Sequence, residues 1–127
     1  MPNADEDALS AIRAASAALQ EWWPEGESPR SWRGVRWSGD RVQGLDFYES
    51  RLKVLAPQIG QLTALTKLYL VRCEQLKELP PQIGQLTALT HLDLSGCPLL
   101  KELPPQFGQL LALTDLDTTC TPRAAST

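Results

Sequence analysis

No stretch of this 127-residue chain approaches the ~20 consecutive apolar residues that a membrane-crossing helix requires. The first residues are acidic, and Arg13 interrupts the one apolar run near the start, so a secretory leader is not expected. Basic residues are not in excess either. The formal charge of −3 argues against nonspecific nucleic-acid binding, which needs a basic face. Histidine occurs once, at His91. The three cysteines, Cys73, Cys97 and Cys120, suggest no disulfide pairing scheme. A hydrolytic site needs a nucleophile held beside a base, and two of these cysteines fall where a buried structural role is expected. One domain without enzymatic activity and without a cofactor is the expectation.

What the chain does have is a repeat. LTALTKLYLVRCEQLKELPPQIGQ begins at Leu62, LTALTHLDLSGCPLLKELPPQFGQ at Leu86 and LLALTDLDTTCTP at Leu110, each 24 residues after the last. Leu65, Leu68, Leu70, Cys73, Leu76 and Leu79 return as Leu89, Leu92, Leu94, Cys97, Leu100 and Leu103. An earlier unit appears with a slip of one residue, as Val42, Leu45, Phe47, Ser50, Leu52 and Leu55. The last unit degrades, with Thr118 in the place of Leu94. A fixed period with leucines locked to it marks a solenoid, in which each unit buries its apolar face only against a neighbour. Leucines two apart point to one side of a strand and the residues between them to the other. Ser50, Cys73 and Cys97 fall where the backbone leaves the strand, where a small side chain can bond the adjacent turn. Pro80 and Pro81 remove two donors and fix an extended or single-turn path on the convex side. Gly60, Gly84 and Gly108 recur at one place, which suggests a left-handed turn position.

The pattern L-x-x-L-x-L-x-x-C-x-x-L resembles the leucine-rich repeat family, in its plant-type form. The resemblance implies an α/β fold: a short solenoid with a curved parallel sheet of about four strands and an N-terminal helical cap.

Before the repeats, Asn3 to Gln20 reads as one amphipathic helix. Asn3 and Glu6 make a capping box, Asp5, Glu6 and Asp7 suit the positive helix start, and Leu9, Ile12, Ala15 and Leu19 form the apolar stripe. Trp22, Trp23, Trp32 and Trp37 follow, and are read as the cover over the first repeat, since large rings close an open end efficiently. Trp32, Gly34 and Val35, with Gly39, Val42, Leu45 and Phe47 more loosely, resemble the plant-type cap that precedes such repeats. In that cap two cysteines are bridged; here their places hold Arg30 and Trp37, so the bridge is absent. Trp37 is expected to offset the loss by packing over the helix. A missing bridge suits a reducing compartment, hence a cytoplasmic location. The boundaries expected are a cap over 1–41, repeats over 42–120 and a disordered tail over 121–127.

Strand alternation places three columns on the concave face: Gly44, Lys67, His91, Asp115; then Asp46, Tyr69, Asp93, Asp117; then Tyr48, Val71, Ser95, Thr119, flanked by Glu49 and Arg72. Strands lie ~4.8 Å apart, so His91, Asp93, Asp115 and Asp117 should form a compact polar cluster. It reads better as a solvated acidic face than as a metal site. Tyr69, between acidic residues and near Tyr48 and Val71, is the candidate anchor, because aromatics are enriched at interface hot spots. The partner-binding set is therefore Asp46, Tyr48, Lys67, Tyr69, Val71, Arg72, His91, Asp93, Asp115 and Asp117. The resemblance implies a protein partner, in signalling or defence, with no nucleic acid and no membrane. The alternative is an assembly role: a last repeat with uncovered leucines and a sheet edge invites pairing, giving a monomer or a weak end-to-end homodimer.

Overall fold

The computed structural model describes residues 3–100 and 103–118. Helix α1 covers Ala4–Ala14 and α2 Ala17–Trp22. Among the described residues five strands follow: β1 Val35–Ser38, β2 Arg41–Asp46, β3 Lys67–Tyr69, β4 His91–Asp93 and β5 Asp115–Asp117. They make one sheet in chain order. From β2 onward it is parallel and in register, so that Leu45, Leu68, Leu92 and Leu116 stand in one row. The four parallel strands are those the repeat predicts. The fifth, β1, is an addition from the cap, antiparallel to β2 through a tight turn at Gly39 and Asp40.

Each coil closes on the convex side with a short 3₁₀ turn, at Pro57–Gln61, Pro81–Gln85 and Pro105–Gln109. A proline opens each turn, where its missing donor costs nothing and its fixed φ suits the helix. The recurring glycines are not left-handed, contrary to the sequence expectation; their role is steric. A Cβ on Gly60 would lie 2.5 Å from Gln85 Oε1 and 2.9 Å from the Gln82 carbonyl. A Cβ on Gly84 would lie 2.6 Å from the Gln106 carbonyl and 2.8 Å from Gln109 Oε1. Glycine lets one coil's turn seat against the next. Gly108 meets nothing within 4 Å.

Side chains tie the coils together from one edge to the other. Thr66, Thr90 and Thr114 each donate a hydroxyl to a carbonyl of the preceding coil, at Gln43, Thr66 and Thr90. Cys73 Sγ donates to the Phe47 carbonyl at 3.0 Å, and Cys97 Sγ to the Leu70 carbonyl at 2.9 Å. Ser50 Oγ lies 3.4 Å from Cys73 Sγ. The small residues at the strand exits therefore bond the adjacent turn as expected. Contact with Cys73, and then burial, push the Cys97 thiol above its ordinary range, while the Cys97 hydrogen bond draws Cys73 down. Cys120, Thr119 and the tail 121–127 lie outside the described residues.

The expected single helix is two. Asn3 caps α1, its Oδ1 accepting from the Asp5 and Glu6 amides. The chain breaks at Ala15 and Ser16, and α2 starts afresh. After the break Leu19 and Trp23 are fully buried, while Ala15, expected on the apolar stripe, is exposed. Asp5 lies in the acidic first turn as expected, yet it is only 2% exposed. Its Oδ2 accepts from the Val42 amide at 2.8 Å and Arg41 Nε at 3.0 Å, fastening α1 to β2.

Three of the tryptophans cover the first coil. Trp23 is fully buried and stacks on Trp32, rings 4.8 Å apart and 12° from parallel. Trp22 and Trp23 both meet Phe47 of the first coil. Trp37 is half-buried against the core, and its Nε1 donates to the Pro29 carbonyl at 3.4 Å. It lies under Arg30, whose guanidinium sits 4.3 Å from the ring centre. The two residues standing where the plant-type cap has its bridge thus touch each other without a covalent bond.

Candidate partner-binding face

Two of the three expected columns stand in register, and the third ends on Thr119, outside the described residues. Gly44, Lys67, His91 and Asp115 pair in register across four strands, as do Asp46, Tyr69, Asp93 and Asp117. The antiparallel β1 lengthens the first column by one residue, because Arg36 stands opposite Gly44. The repeat pattern could not include Arg36, since β1 belongs to no repeat. The usable signal was the Ser-Gly-Asp-Arg turn between two short strand-like runs.

Two of the aspartates are partly spent on structure. Asp46 Oδ1 accepts from the Tyr48 amide at 3.1 Å. Asp93 Oδ1 accepts from the Ser95 amide at 2.9 Å and its hydroxyl at 2.6 Å. Each carboxylate shapes the exit from its own strand, which explains an acid at this place in both coils. His91 Nε2 lies 2.7 Å from Asp115 Oδ2, and its Nδ1 lies 2.7 Å from Thr90 Oγ1. Among the described residues, no group of three or more His, Cys, Asp or Glu side chains could hold a metal ion.

At the rim, Tyr48 is 42% exposed, and Arg72 reaches over it, with Nη1 3.4 Å from the phenol oxygen. Val71 lies beside them, half-buried. Glu49 and Arg72 both adopt positive φ, 55° and 57°, where the next coil uses Gly96 at 73°. A non-glycine residue in this region is strained; the Gly96 coil meets the same turn without that strain. Two clefts flank Tyr69. One of about 470 Å³ reaches from Tyr69 across His91 and Asp93 to Asp115 and Asp117. The other, about 210 Å³, lies over Gly44 between Arg36 and Lys67, with Asp46 in its wall.

A leucine-rich repeat family profile matches residues 88–110, in phase with the coil that carries β4. The chain carries leucine-rich repeats. Its repeats are of the plant type, and its solenoid agrees with solved structures of that kind. It is similar to a plant ice-binding protein, with 28% identity and a TM-score of 0.74 over 91% of this chain and 40% of that one. It is also similar to a chain of the BIR3–SERK2 complex of Arabidopsis thaliana, with 24% identity and a TM-score of 0.64 over 87% of this chain and 65% of that one. The BIR2 ectodomain of Arabidopsis thaliana shares the fold at 19% identity, TM-score 0.52, over 87% of this chain and 77% of that one. The chain therefore spans less than two thirds of the length of the first two. No curated protein sequence matches it. Among the described residues, no helix is long and apolar enough to cross a membrane.

Proposed function

We propose that this leucine-rich repeat domain is a non-enzymatic recognition module that binds a protein partner through its concave face. The observation that carries the reading is the division of labour between the two faces. On the convex side, glutamines and glycines of successive turns pack on each other. On the concave side, Lys67, Tyr69, His91 and Asp115 project from a rigid ladder and border two clefts. Tyr48 and Arg72 extend that surface at the rim, with Val71 beside them. The plant-type repeats support a signalling or defence setting. A reducing, cytoplasmic setting is supported by the Arg30–Trp37 contact in place of a bridge.

A photo-crosslinking residue in place of Tyr69 tests this. It should capture a protein from a cell extract that the same group in place of Glu78, away from the columns, does not. Equal capture from both positions would remove the concave face from the proposal.

A second reading, end-to-end self-association, rests on the last coil. Leu116 is 39% exposed and Leu111 90%. Sedimentation across a concentration series should show a weak dimer that Leu111→Arg with Leu116→Arg abolishes; a dimer insensitive to that pair lies elsewhere.

A further inference from the structure

The two clefts on either side of Tyr69 carry opposite charge. The cleft over Gly44 has Arg36 and Lys67 on its flanks and one carboxylate, Asp46, in its wall. The cleft beyond Tyr69 has Asp93, Asp115 and Asp117 with the single His91. Along the sheet the first column runs Arg36, Gly44, Lys67, His91, Asp115, from cationic to anionic. The gap at Gly44 is what makes the first cleft, since that residue offers no side chain between two basic ones.

We propose that the face recognises an extended peptide segment carrying a carboxylate and a lysine or arginine four residues apart, laid across the strands with an intervening side chain over Tyr69. The proposal rests on the concave-face reading above. The spacing follows from strand geometry. The first cleft centres on β2 and the second between β4 and β5, two and a half strand intervals away, or about 12 Å. In an extended chain, side chains on one side recur every two residues, ~6.7 Å apart, so residues i and i+4 are about 13 Å apart. Residue i+2 then falls at the middle, where Tyr69 stands. The carboxylate lies between Arg36 and Lys67, the cation among the aspartates. A second copy of this chain fits less well: the two faces are both concave, and a two-fold axis through β3 would set Lys67 against its own copy.

The test uses the whole chain, ¹⁵N-labelled, titrated by NMR with synthetic nine-residue peptides of serine and glycine around three set positions. One pair has glutamate and lysine four residues apart, in either order, with leucine midway. Controls carry two glutamates or two lysines at those positions. The mixed-charge peptides should bind about five- to tenfold more tightly than either control. They should shift the amides of Gly44, Tyr69 and Asp115, and weaken at 0.5 M salt. Gly44→Leu should fill the basic cleft and cost about tenfold; Gly44→Ala checks the fold, because a Cβ there meets Arg36 Cβ at an ordinary 3.4 Å. Lys67→Glu should turn the preference toward the two-lysine peptide. Equal binding of all peptides, no binding of any, or shifts that Gly44→Leu leaves unchanged would overturn the proposal. If that happens while Tyr69 still crosslinks a protein partner, only the peptide chemistry is wrong. If Tyr69 captures nothing, the concave-face reading falls as well.

Discussion

The two ends of this solenoid are built from opposite materials. At the N-terminal end, Trp23 and Phe47 are fully buried beneath a helix pair and a stack of indoles. In the last described coil, Leu116 and Leu111 are exposed and no atom lies within 4 Å of a Cβ built on Gly108. The row Leu45, Leu68, Leu92, Leu116 makes the contrast sharp. One residue type in one register is 1%, 0%, 1% and then 39% exposed. In a stacked fold, the energetic weight of a leucine is therefore set by how much of it its neighbours cover, not by its identity or its strand.

Substitutions at the two ends should differ accordingly. The largest effect is expected at the covered end. Trp23→Ala removes the ring that touches both Trp32 and Phe47, and should cost ~3–5 kcal/mol in urea unfolding. A loss below ~1 kcal/mol would mean that the tryptophans decorate the cap and do not close it.

Next comes the leucine pair. Leu92→Ala, buried between two coils, should cost ~2–5 kcal/mol. Leu116→Ala, with one side already wet, should cost no more than about a third of that, since the hydrophobic gain scales with apolar area removed from water. Equal losses would show that the last coil is covered in solution.

The convex glycines offer a smaller but cleaner comparison. Gly84→Ala forces the Gln106 carbonyl and the Gln109 side chain away, and should destabilise by ~1–3 kcal/mol. Gly108→Ala meets no atom, and should be neutral or stabilise by ~0.4–1 kcal/mol through the unfolded chain. Matched thermal melts of the two variants read this directly.

The smallest change is Arg30→Ala. It removes the cation from over Trp37 and an exposed ion pair to Asp40. About 0.5–1 kcal/mol is expected for the former and little for the latter. Hydrogen exchange of the cap amides should speed up while the repeat amides hold.

The repeats were readable because their period is long, regular and tied to burial. Every leucine from Leu62 to Leu100 assigned to the core is there, and the concave columns follow from the two-residue alternation alone. What the sequence concealed lies where a contact is not periodic. Asp5 looks like any first-turn acid until β2 brings Arg41 and the Val42 amide to it. The break at Ala15 and Ser16 is invisible to a helical stripe, because both halves keep helical residues. Arg36 reaches the face only through a hairpin. Gly60 and Gly84 suggested a turn conformation, yet the constraint comes from the coil that stacks on them.

The threonine and cysteine rungs have a direction. In each case the side chain of the later coil donates to a carbonyl of the earlier one. A coil thus completes its predecessor's bonding and asks nothing, through these rungs, of sequence still to come. Synthesis delivers a chain N-terminus first, at ~5–20 residues per second. A 24-residue coil then emerges in a few seconds, onto a cap and coils already finished. The rung chemistry favours assembly in the order of translation, each turn acting as the template for the next.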